Sequence, residues 1–297
     1  MLGPMEIPRE TCLLAGCGYT GARLARRLAP PVLGLVRTGA SVAALAQARI
    51  PALAVDLDGG EPLPLPDRLG AVAYLAPPGG SGSQDERLRH FLASLGPVRP
   101  RSVLYLSTTA VYGETAGAPA DEDAPAAPGD TRARQRLDAE GQIRAWCGAR
   151  EIRWAVFRVG AIYGPFRLPL DRLRRGEPVL REEDTGPGNR IHVDDLVAAC
   201  AAVLEGPAEG IFNLVDGVPW SPAAFADRVA FHAGLPRPPR IGRSEAEPRL
   251  GPAYLSFFRE RRRVVSSRLA GLGVVPRTPE AGIRDSLREM GLESPGA

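Results

Sequence analysis

The chain has 297 residues with a formal net charge of +3, and 44% of them are hydrophobic. This length suffices for one large domain or for a large and a small one, and the nearly balanced charge gives no reason to expect nucleic acid as a partner. The apolar runs are too short to span a membrane, and residues 1–10 lack the basic and apolar regions of a secretory signal. Neither metal-ligand nor disulfide-framework spacing is found among Cys12, Cys17, Cys147 and Cys200. We therefore expect a cytoplasmic protein without a metal site, a nucleic-acid partner or a membrane partner.

Short apolar segments alternate with helix-like segments through the first half of the chain. Strands are predicted at 11–15, 32–36, 52–55, 71–76, 102–107 and 154–159, and helices at 19–28, 41–48, 84–95 and 132–150. Strands that are almost continuously apolar are typical of a parallel sheet covered on both faces. Right-handed crossovers then place the helices on those faces. The pattern predicts an α/β fold with a doubly wound parallel sheet.

A glycine-rich segment follows the first predicted strand and leads directly into the first predicted helix. It consists of Gly16, Cys17, Gly18, Tyr19, Thr20 and Gly21. In a dinucleotide-binding turn the first glycine permits the turn, the second lets the backbone approach a pyrophosphate, and the third packs the helix close to the strand. A glycine-rich turn without a ligand is the alternative, which the preceding strand and following helix disfavour. These six residues are therefore predicted to bind a dinucleotide.

The regular alternation stops after Gly164-Pro165. Helices are predicted at 169–175, 193–205, 222–232 and 280–290, and one strand at 210–215. We expect residues 1–164 to form the dinucleotide-binding domain and residues 165–297 to form a smaller substrate-binding or capping domain. Part of the second domain, about residues 188–218, is expected to return to the main sheet. The Ala-, Pro- and Asp-rich segment 116–131 is predicted to be a loop beside the site.

In open α/β sheets the ligand lies beyond the carboxyl ends of the strands, so the residues that follow each strand are candidates for binding. Arg37 follows the second predicted strand, where an NAD-specific fold places an acid on the ribose 2′-hydroxyl. A guanidinium would bind a 2′-phosphate, which favours NADP over NAD, although an ordinary surface arginine is the alternative. Asp56 and Leu57 are predicted to lie near the adenine, and Ala76 and Pro77 near the pyrophosphate. A role in turns alone is equally compatible with both pairs.

Four segments, taken in order, resemble a known family. They read STTAVYG at 107–113, RVGAIYGP at 158–165, RIHVDD at 190–195 and NLVD at 213–216. Together with the glycine turn, they make residues 11–220 similar to the extended short-chain dehydrogenase/reductase superfamily, which includes the sugar-nucleotide epimerases and dehydratases. The combination of motifs is far more specific than any one of them.

The resemblance implies a role for Thr108 as the hydroxyl that hydrogen-bonds the reacting oxygen; a hydroxyl that caps the strand end is the alternative. The family's Tyr-x-x-x-Lys dyad is missing, because an alignment anchored on Glu140 places Arg132 and Arg136 at its two positions and the chain contains no lysine. From position 136 an arginine can donate to the cofactor's ribose hydroxyls, but its pKa above about 12 makes it a poor proton carrier. These departures make the atypical members of the superfamily the best match, and that match implies NADP binding.

A proton donor is not evident from the sequence. The candidates are Tyr112, Glu114, Tyr163 and Asp85, although the two tyrosines also suit packed aromatic rings with hydrogen-bonded tips. His192 stands directly before a helix-like segment that begins with acids, so we expect it to pack beside the start of a helix rather than to act as a base.

These observations lead to one interpretation and one alternative. We expect a Rossmann-type doubly wound sheet with a smaller C-terminal substrate domain, and an NADP-binding oxidoreductase that acts on an unidentified carbonyl, alcohol or nucleotide-sugar substrate. Thr108, Tyr112 and Arg136 would form its catalytic set. The alternative is a non-catalytic NADP(H)-binding sensor or regulatory module, because the Tyr/Lys dyad is absent. The predicted helices at 84–95 and 132–150 resemble the pair with which this superfamily often dimerises, so a homodimer is expected.

Overall fold

The computed structural model describes residues 10–29, 31–59, 62–256 and 261–293. The strands are β1 (Cys12–Ala15), β2 (Val32–Val36), β3 (Ala52–Ala54), β4 (Ala71–Tyr74), β5 (Ser102–Thr108), β6 (Pro119–Ala120), β7 (Arg153–Val159), β8 (Ala161–Tyr163), β9 (Val179–Leu180), β10 (Arg190–His192), β11 (Gly210–Leu214), β12 (Arg240–Ile241) and β13 (Arg263–Val264). The helices are α1 (Tyr19–Arg27), α2 (Gly39–Gln47), α3 (Glu86–Ser94), α4 (Thr131–Gly148), α5 (Leu170–Arg174), α6 (Val193–Glu205), α7 (Pro222–His232), α8 (Arg243–Ser256) and α9 (Pro279–Glu289).

The central sheet has the strand order β11-β7-β5-β4-β1-β2-β3, and neighbouring strands are parallel throughout. This order reverses beside β1, which creates the crevice where ligands bind in doubly wound folds. Three parallel pairs lie outside the sheet: β8 with β10, β9 with β12, and β6 with β13. The predicted α/β fold with a doubly wound, Rossmann-type sheet is confirmed.

Both faces of the sheet are covered, which explains why its strands are apolar throughout. Successive side chains of a strand point to opposite faces, and in β1 Leu13 and Leu14 are both fully buried but in different clusters. The Leu14 cluster includes residues of α1 and α6, whereas the Leu13 cluster includes residues of α3 and α4. A third cluster joins α5, α7 and α9 through Leu173, Phe225 and Ile283.

The sheet strands and main helices agree with the predicted ones to within about two residues at each end. Helix α2 begins at Gly39 rather than at 41, because the Thr38 side chain accepts a hydrogen bond from Ser41 N and caps the helix there. The two- and three-residue strands β6, β8, β9, β10, β12 and β13, and helix α8, were not predicted. Strand β6 lies inside the segment predicted as the 116–131 loop. No described helix is long and apolar enough to cross a membrane.

A buried ion pair ties α4 to the centre of the sheet. Glu140 on α4 accepts from Arg158 of β7 at 2.8 Å, and its other oxygen accepts from the Ser107 hydroxyl of β5 at 2.6 Å. The exposed fraction of the side chain is 2% for Glu140 and 6% for Arg158. Charges so deeply buried are costly unless they are paired, so this contact holds the helix against the ends of β5 and β7.

We predict that Glu140→Gln lowers the free energy of unfolding by about 3–5 kcal/mol, because it leaves the Arg158 charge buried without a counter-charge. Urea denaturation measures the change. The double variant Glu140→Leu with Arg158→Met removes both charges and should lose less than the single variant. A single variant within about 1 kcal/mol of the wild type would contradict this assignment.

Candidate functional site

Two glycines of the predicted dinucleotide turn are required by close packing. Gly16 has a φ of +88°, and a Cβ at this position would lie 2.6 Å from the backbone nitrogen of Ala76. A Cβ at Gly21 would lie 3.2 Å from a methyl group of Leu75 and 3.3 Å from the Gly16 carbonyl oxygen. The turn therefore lies directly on the segment that follows β4, and α1 lies directly on the turn.

The middle glycine lies in a different environment. A Cβ at Gly18 would have no atom within 4 Å, so space is left beside the backbone where α1 begins. Gly18 is the N-cap of α1 and supplies no side-chain hydrogen bond to it. The first N–H groups of a helix have no partners within the helix, and its N-terminus carries partial positive charge. This geometry fits the phosphate groups of a dinucleotide.

The remaining residues of the turn are held by contacts within the protein. Burial raises the pKa of the Cys17 thiol to about 11, which makes it an inert, structural side chain, and Thr20 is also buried. The Tyr19 hydroxyl donates to the Pro165 carbonyl at 2.9 Å, and the guanidinium carbon of Arg167 lies 4.1 Å from the Tyr19 ring centroid. Tyr19 thus joins the turn to the segment that follows β8.

Arg37 lies exposed just after β2 and makes no side-chain hydrogen bond or ion pair with any described residue. The ion pair with Arg87 lowers the pKa of Asp58, and the charge of Arg37 contributes to the same effect, so Arg37 lies near that pair. Thr38 and Ser41 join their hydroxyls at 2.9 Å at the start of α2, next to Arg37. These two hydroxyls are not among the predicted site residues, although a threonine directly before a helix is a recognisable capping signal.

The predicted pyrophosphate segment lies against the glycine turn. Ala76 is the residue that a Cβ at Gly16 would strike, and the Pro77 carbonyl accepts from Arg87 at 2.7 Å. Two separate stretches of sequence are therefore brought together at the ends of β1 and β4.

The predicted adenine segment has contacts of its own. Asp56 accepts from the Asp58 backbone N–H at 3.1 Å, and the Leu57 carbonyl lies 3.2 Å from a ring nitrogen of His90. Asp56 is exposed and Leu57 half-buried. These hydrogen bonds show the turn role of both residues, and their contact with an adenine stays a prediction.

Thr108 is half-buried at the end of β5. Its hydroxyl oxygen accepts from the Ala110 backbone N–H at 3.2 Å, so it does cap the strand end. The hydroxyl proton has no acceptor among the described residues, which leaves Thr108 able to donate one further hydrogen bond.

Arg136 of α4 joins the ends of β4 and β5. Its Nη1 donates to the Leu106 carbonyl at 2.7 Å and lies 3.2 Å from the Tyr105 hydroxyl and 3.4 Å from the Ala76 carbonyl. Within the described chain, its Nε and Nη2 have no hydrogen-bond partner. Arg132, one helical turn earlier, is exposed.

The Tyr112 hydroxyl is engaged inside the protein. It donates to the Asn213 side-chain oxygen at 2.8 Å, and the guanidinium carbon of Arg158 lies 4.8 Å from the ring centroid. Tyr112 is 2% exposed, and burial raises its pKa. Asn213 is held in turn by the Glu122 carboxylate, which accepts from its backbone N–H at 3.0 Å. The structure therefore gives this phenol a packing role that joins the end of β5 to β11.

The other candidate proton donors have different surroundings. Glu114 is exposed and accepts from two backbone N–H groups. Tyr163 is buried between a histidine and a phenylalanine ring, and Asp85 caps the start of α3, where burial raises its pKa. None of the three hydrogen-bonds Thr108, and the described residues include no cluster of three or more His, Cys, Asp or Glu side chains that could hold a metal.

Comparison with known proteins adds two sequence relationships. The model of the NAD dependent epimerase/dehydratase family matches residues 87–214. A 3-diazoavenalumate denitrifying reductase from a Streptomyces species is 31% identical over 139 residues, which cover 44% of this chain and 45% of that protein. The chain therefore aligns with less than half the length of this relative.

Solved structures share the fold over almost the whole chain. A functionally unknown conserved protein from Silicibacter pomeroyi DSS is 31% identical with a TM-score of 0.79, covering 96% of this chain and 100% of that one. UDP-glucuronic acid 4-epimerase from Bacillus cereus in complex with NAD is 17% identical with a TM-score of 0.75, covering 94% of this chain and 99% of that one. UDP-glucose 4-epimerase from Thermus thermophilus in complex with NAD is 20% identical with a TM-score of 0.74, covering 95% of this chain and 99% of that one. At these identities the two epimerases show the fold alone.

His192 lies at the start of α6, and its burial keeps the imidazole neutral. Its Nδ1 accepts from the Asp194 backbone N–H at 3.2 Å at the start of α6, and its Nε2 lies 3.1 Å from the Ser286 hydroxyl. It is 1% exposed, and burial lowers its pKa from 6.5 to about 4. The expected packing of His192 at the start of a helix agrees with these contacts.

We predict that His192 weakens the fold in acid. As the pH falls below 6.5, the unfolded chain takes up a proton that the folded protein refuses until about pH 4. The neutral His192 therefore makes its full contribution to the free energy of unfolding above pH 6.5. About 3 kcal/mol of this contribution is lost as the pH falls from 6.5 to about 4. His192→Asn keeps a helix cap and should flatten the pH dependence of unfolding in this window. An unchanged slope in His192→Asn would refute the prediction.

Proposed function

The chain belongs to the NAD dependent epimerase/dehydratase family, and on that premise we propose that it is an NADP-dependent oxidoreductase. It transfers hydride between the nicotinamide and a carbon of a small-molecule substrate held beside Thr108. The observation that carries the proposal is the glycine turn. Its first glycine packs on Ala76, while the space beside Gly18 stays open at the start of α1.

The preference for NADP rests on the surroundings of Arg37. A carboxylate after β2 would bind a ribose 2′-hydroxyl and repel a 2′-phosphate. This chain has an exposed guanidinium there, which makes no ion pair with the described residues, and it lies next to the hydroxyls of Thr38 and Ser41. Guanidinium and hydroxyl groups are the donors that recognise phosphate.

When bound, the nicotinamide supplies or accepts the hydride. Arg136 anchors its Nη1 on the ends of β4 and β5 and keeps its Nε and Nη2 to donate to the ribose hydroxyls. Thr108 donates its hydroxyl proton to the substrate oxygen and thereby orients the reacting carbon. Tyr112 supports this end of β5 through its hydrogen bond to Asn213. Residues 165–297 supply the substrate-binding side of the cleft.

Proton transfer distinguishes this site from the family's usual chemistry. The chain has arginines at both positions of the dyad, and the Tyr112 hydroxyl donates to Asn213. The reaction that suits such a site is a reduction in which the substrate or solvent, rather than a phenol of the protein, provides any proton. The relation to a denitrifying reductase supports the reductive direction.

The second candidate is a non-catalytic sensor of NADP(H). It is favoured by the lack of a proton donor at the site, because no titratable side chain among the described residues hydrogen-bonds Thr108. Such a protein would bind the cofactor with the same preference for the phosphorylated form. It would oxidise no NADPH with any carbonyl compound or nucleotide sugar.

We predict that Arg37→Asp weakens NADP(H) binding by about ten- to a hundredfold, because it replaces a charge-assisted hydrogen bond by repulsion. NAD(H) binding should remain or improve. Calorimetric titration with both cofactors measures the change. Arg26→Asp, on the exposed last turn of α1, makes the same change in net charge and should leave NADP(H) affinity unaltered. Equal loss in both variants would mean that overall charge, and not a 2′-phosphate contact, is responsible.

We predict that Thr108→Val lowers turnover by about a hundredfold, the size of effect seen when a donor to the reacting oxygen is removed. NADPH oxidation with a panel of carbonyl compounds and nucleotide sugars provides the assay. Cofactor affinity should not change, and Thr108→Ser should keep most of the activity. Wild-type turnover in Thr108→Val would exclude the assigned role, whereas tight NADPH binding without turnover in the wild type would favour the sensor.

A further inference from the structure

A cavity of about 150 Å³ lies between α5, β9 and α7, apart from the glycine turn and from Thr108 and Arg136. Leu173, Val179, Phe225 and Ala226 form much of its wall, and Arg190 of β10 lines it as well. An apolar cavity of about this volume holds a molecule the size of benzene. The space therefore suits a compact ligand with an apolar body.

The charge of Arg190 has no ion-pair partner in the part of the chain that the structure describes. The residue is 8% exposed and makes no ion pair with the described residues. Its Nη1 donates to the Trp220 carbonyl at 2.6 Å, and its guanidinium carbon lies 4.6 Å from the Phe225 ring centroid. Burial lowers the pKa of Arg190 to about 10, so it stays charged at neutral pH.

The neighbouring acids do not supply the missing counter-charge. Glu177, which also lines the cavity, accepts from Arg172 and from Arg175, each at 2.8 Å, and its charge is balanced by these two residues. Asp216 attracts Arg190 electrostatically but does not form an ion pair with it. A buried charge without a counter-charge is costly, which contrasts with the fully paired Arg158.

We propose that this cavity is a binding site for a small organic monocarboxylate. The carboxylate lies on the guanidinium of Arg190, and the apolar body lies against Leu173, Val179, Phe225 and Ala226. Arginine suits this role because its planar fork matches a carboxylate with two parallel hydrogen bonds. The site is separate from the proposed cofactor cleft, so its existence does not depend on the proposed function.

Titration calorimetry on the full chain tests the proposal with two matched pairs of probes, isobutyrate with isobutyramide and benzoate with benzamide. We expect at least one carboxylate to bind, and its neutral amide to bind about ten- to a hundredfold more weakly, because only the carboxylate satisfies the charge of Arg190. Saturating NADP should leave this binding unchanged. Absence of carboxylate binding, equal binding of the amide, or competition with NADP would overturn the proposal.

Two variants locate the site. Arg190→Met should remove the preference for the carboxylate, whereas Arg228→Met, which removes an exposed arginine of α7, should not. Ala226→Leu fills the cavity while Arg190 remains in place and should abolish binding. The melting temperatures of all three variants report whether they fold. Undiminished carboxylate binding in either folded cavity variant, Arg190→Met or Ala226→Leu, would place the ligand elsewhere and refute the assignment.

Discussion

The geometry of the proposed cofactor cleft depends on the contact between the backbones of Gly16 and Ala76. Because a Cβ at Gly16 would lie 2.6 Å from the Ala76 nitrogen, only glycine allows the chain to leave β1 and turn this close to the end of β4. The turn then starts α1 at Tyr19, beside the open space at Gly18. Tyr19 in turn donates to the Pro165 carbonyl, which joins the start of α1 to the segment after β8.

Arginine is the only long cationic side chain that this protein uses, and the structure places it in three different electrostatic situations. Arg158 is buried with the Glu140 carboxylate and stabilises the packing of α4 on the sheet. Arg37 is exposed without an acidic partner among the described residues, where a free guanidinium can meet an anionic ligand. Arg190 is buried beside a cavity without an ion pair to any described residue. The same residue type thus stabilises the fold in one place and is proposed to recognise ligands in the two others, according to its counter-charge and its exposure.

In the proposed function, the residues that would hold the cofactor do not include a group that would transfer a proton. Arg136 lies at the position where the resemblance predicts the family's lysine, and its Nη1 is fixed by carbonyl groups of two strand ends. An arginine there can donate hydrogen bonds but, because it stays protonated, cannot carry a proton to or from a substrate. Tyr112 belongs to a buried network that includes Asn213. The proposed hydride chemistry, which depends little on a protein acid, is consistent with this arrangement.

Local sequence patterns were sufficient to predict much of the fold of this protein. The strands β1 to β5, β7 and β11, the glycine turn and the family resemblance follow from apolar runs, glycines and short motifs that lie next to one another in the sequence. Strands β6, β8, β9, β10, β12 and β13 have only two or three residues each and were not predicted, because their pairing is decided by the packing of distant segments. The partner of Tyr112 is Asn213, 101 residues away, and the isolation of Arg190 depends on which acids the fold brings near. Such contacts are decided only by tertiary structure, because hydrogen bonds and charge interactions depend on distance in space rather than on distance along the chain.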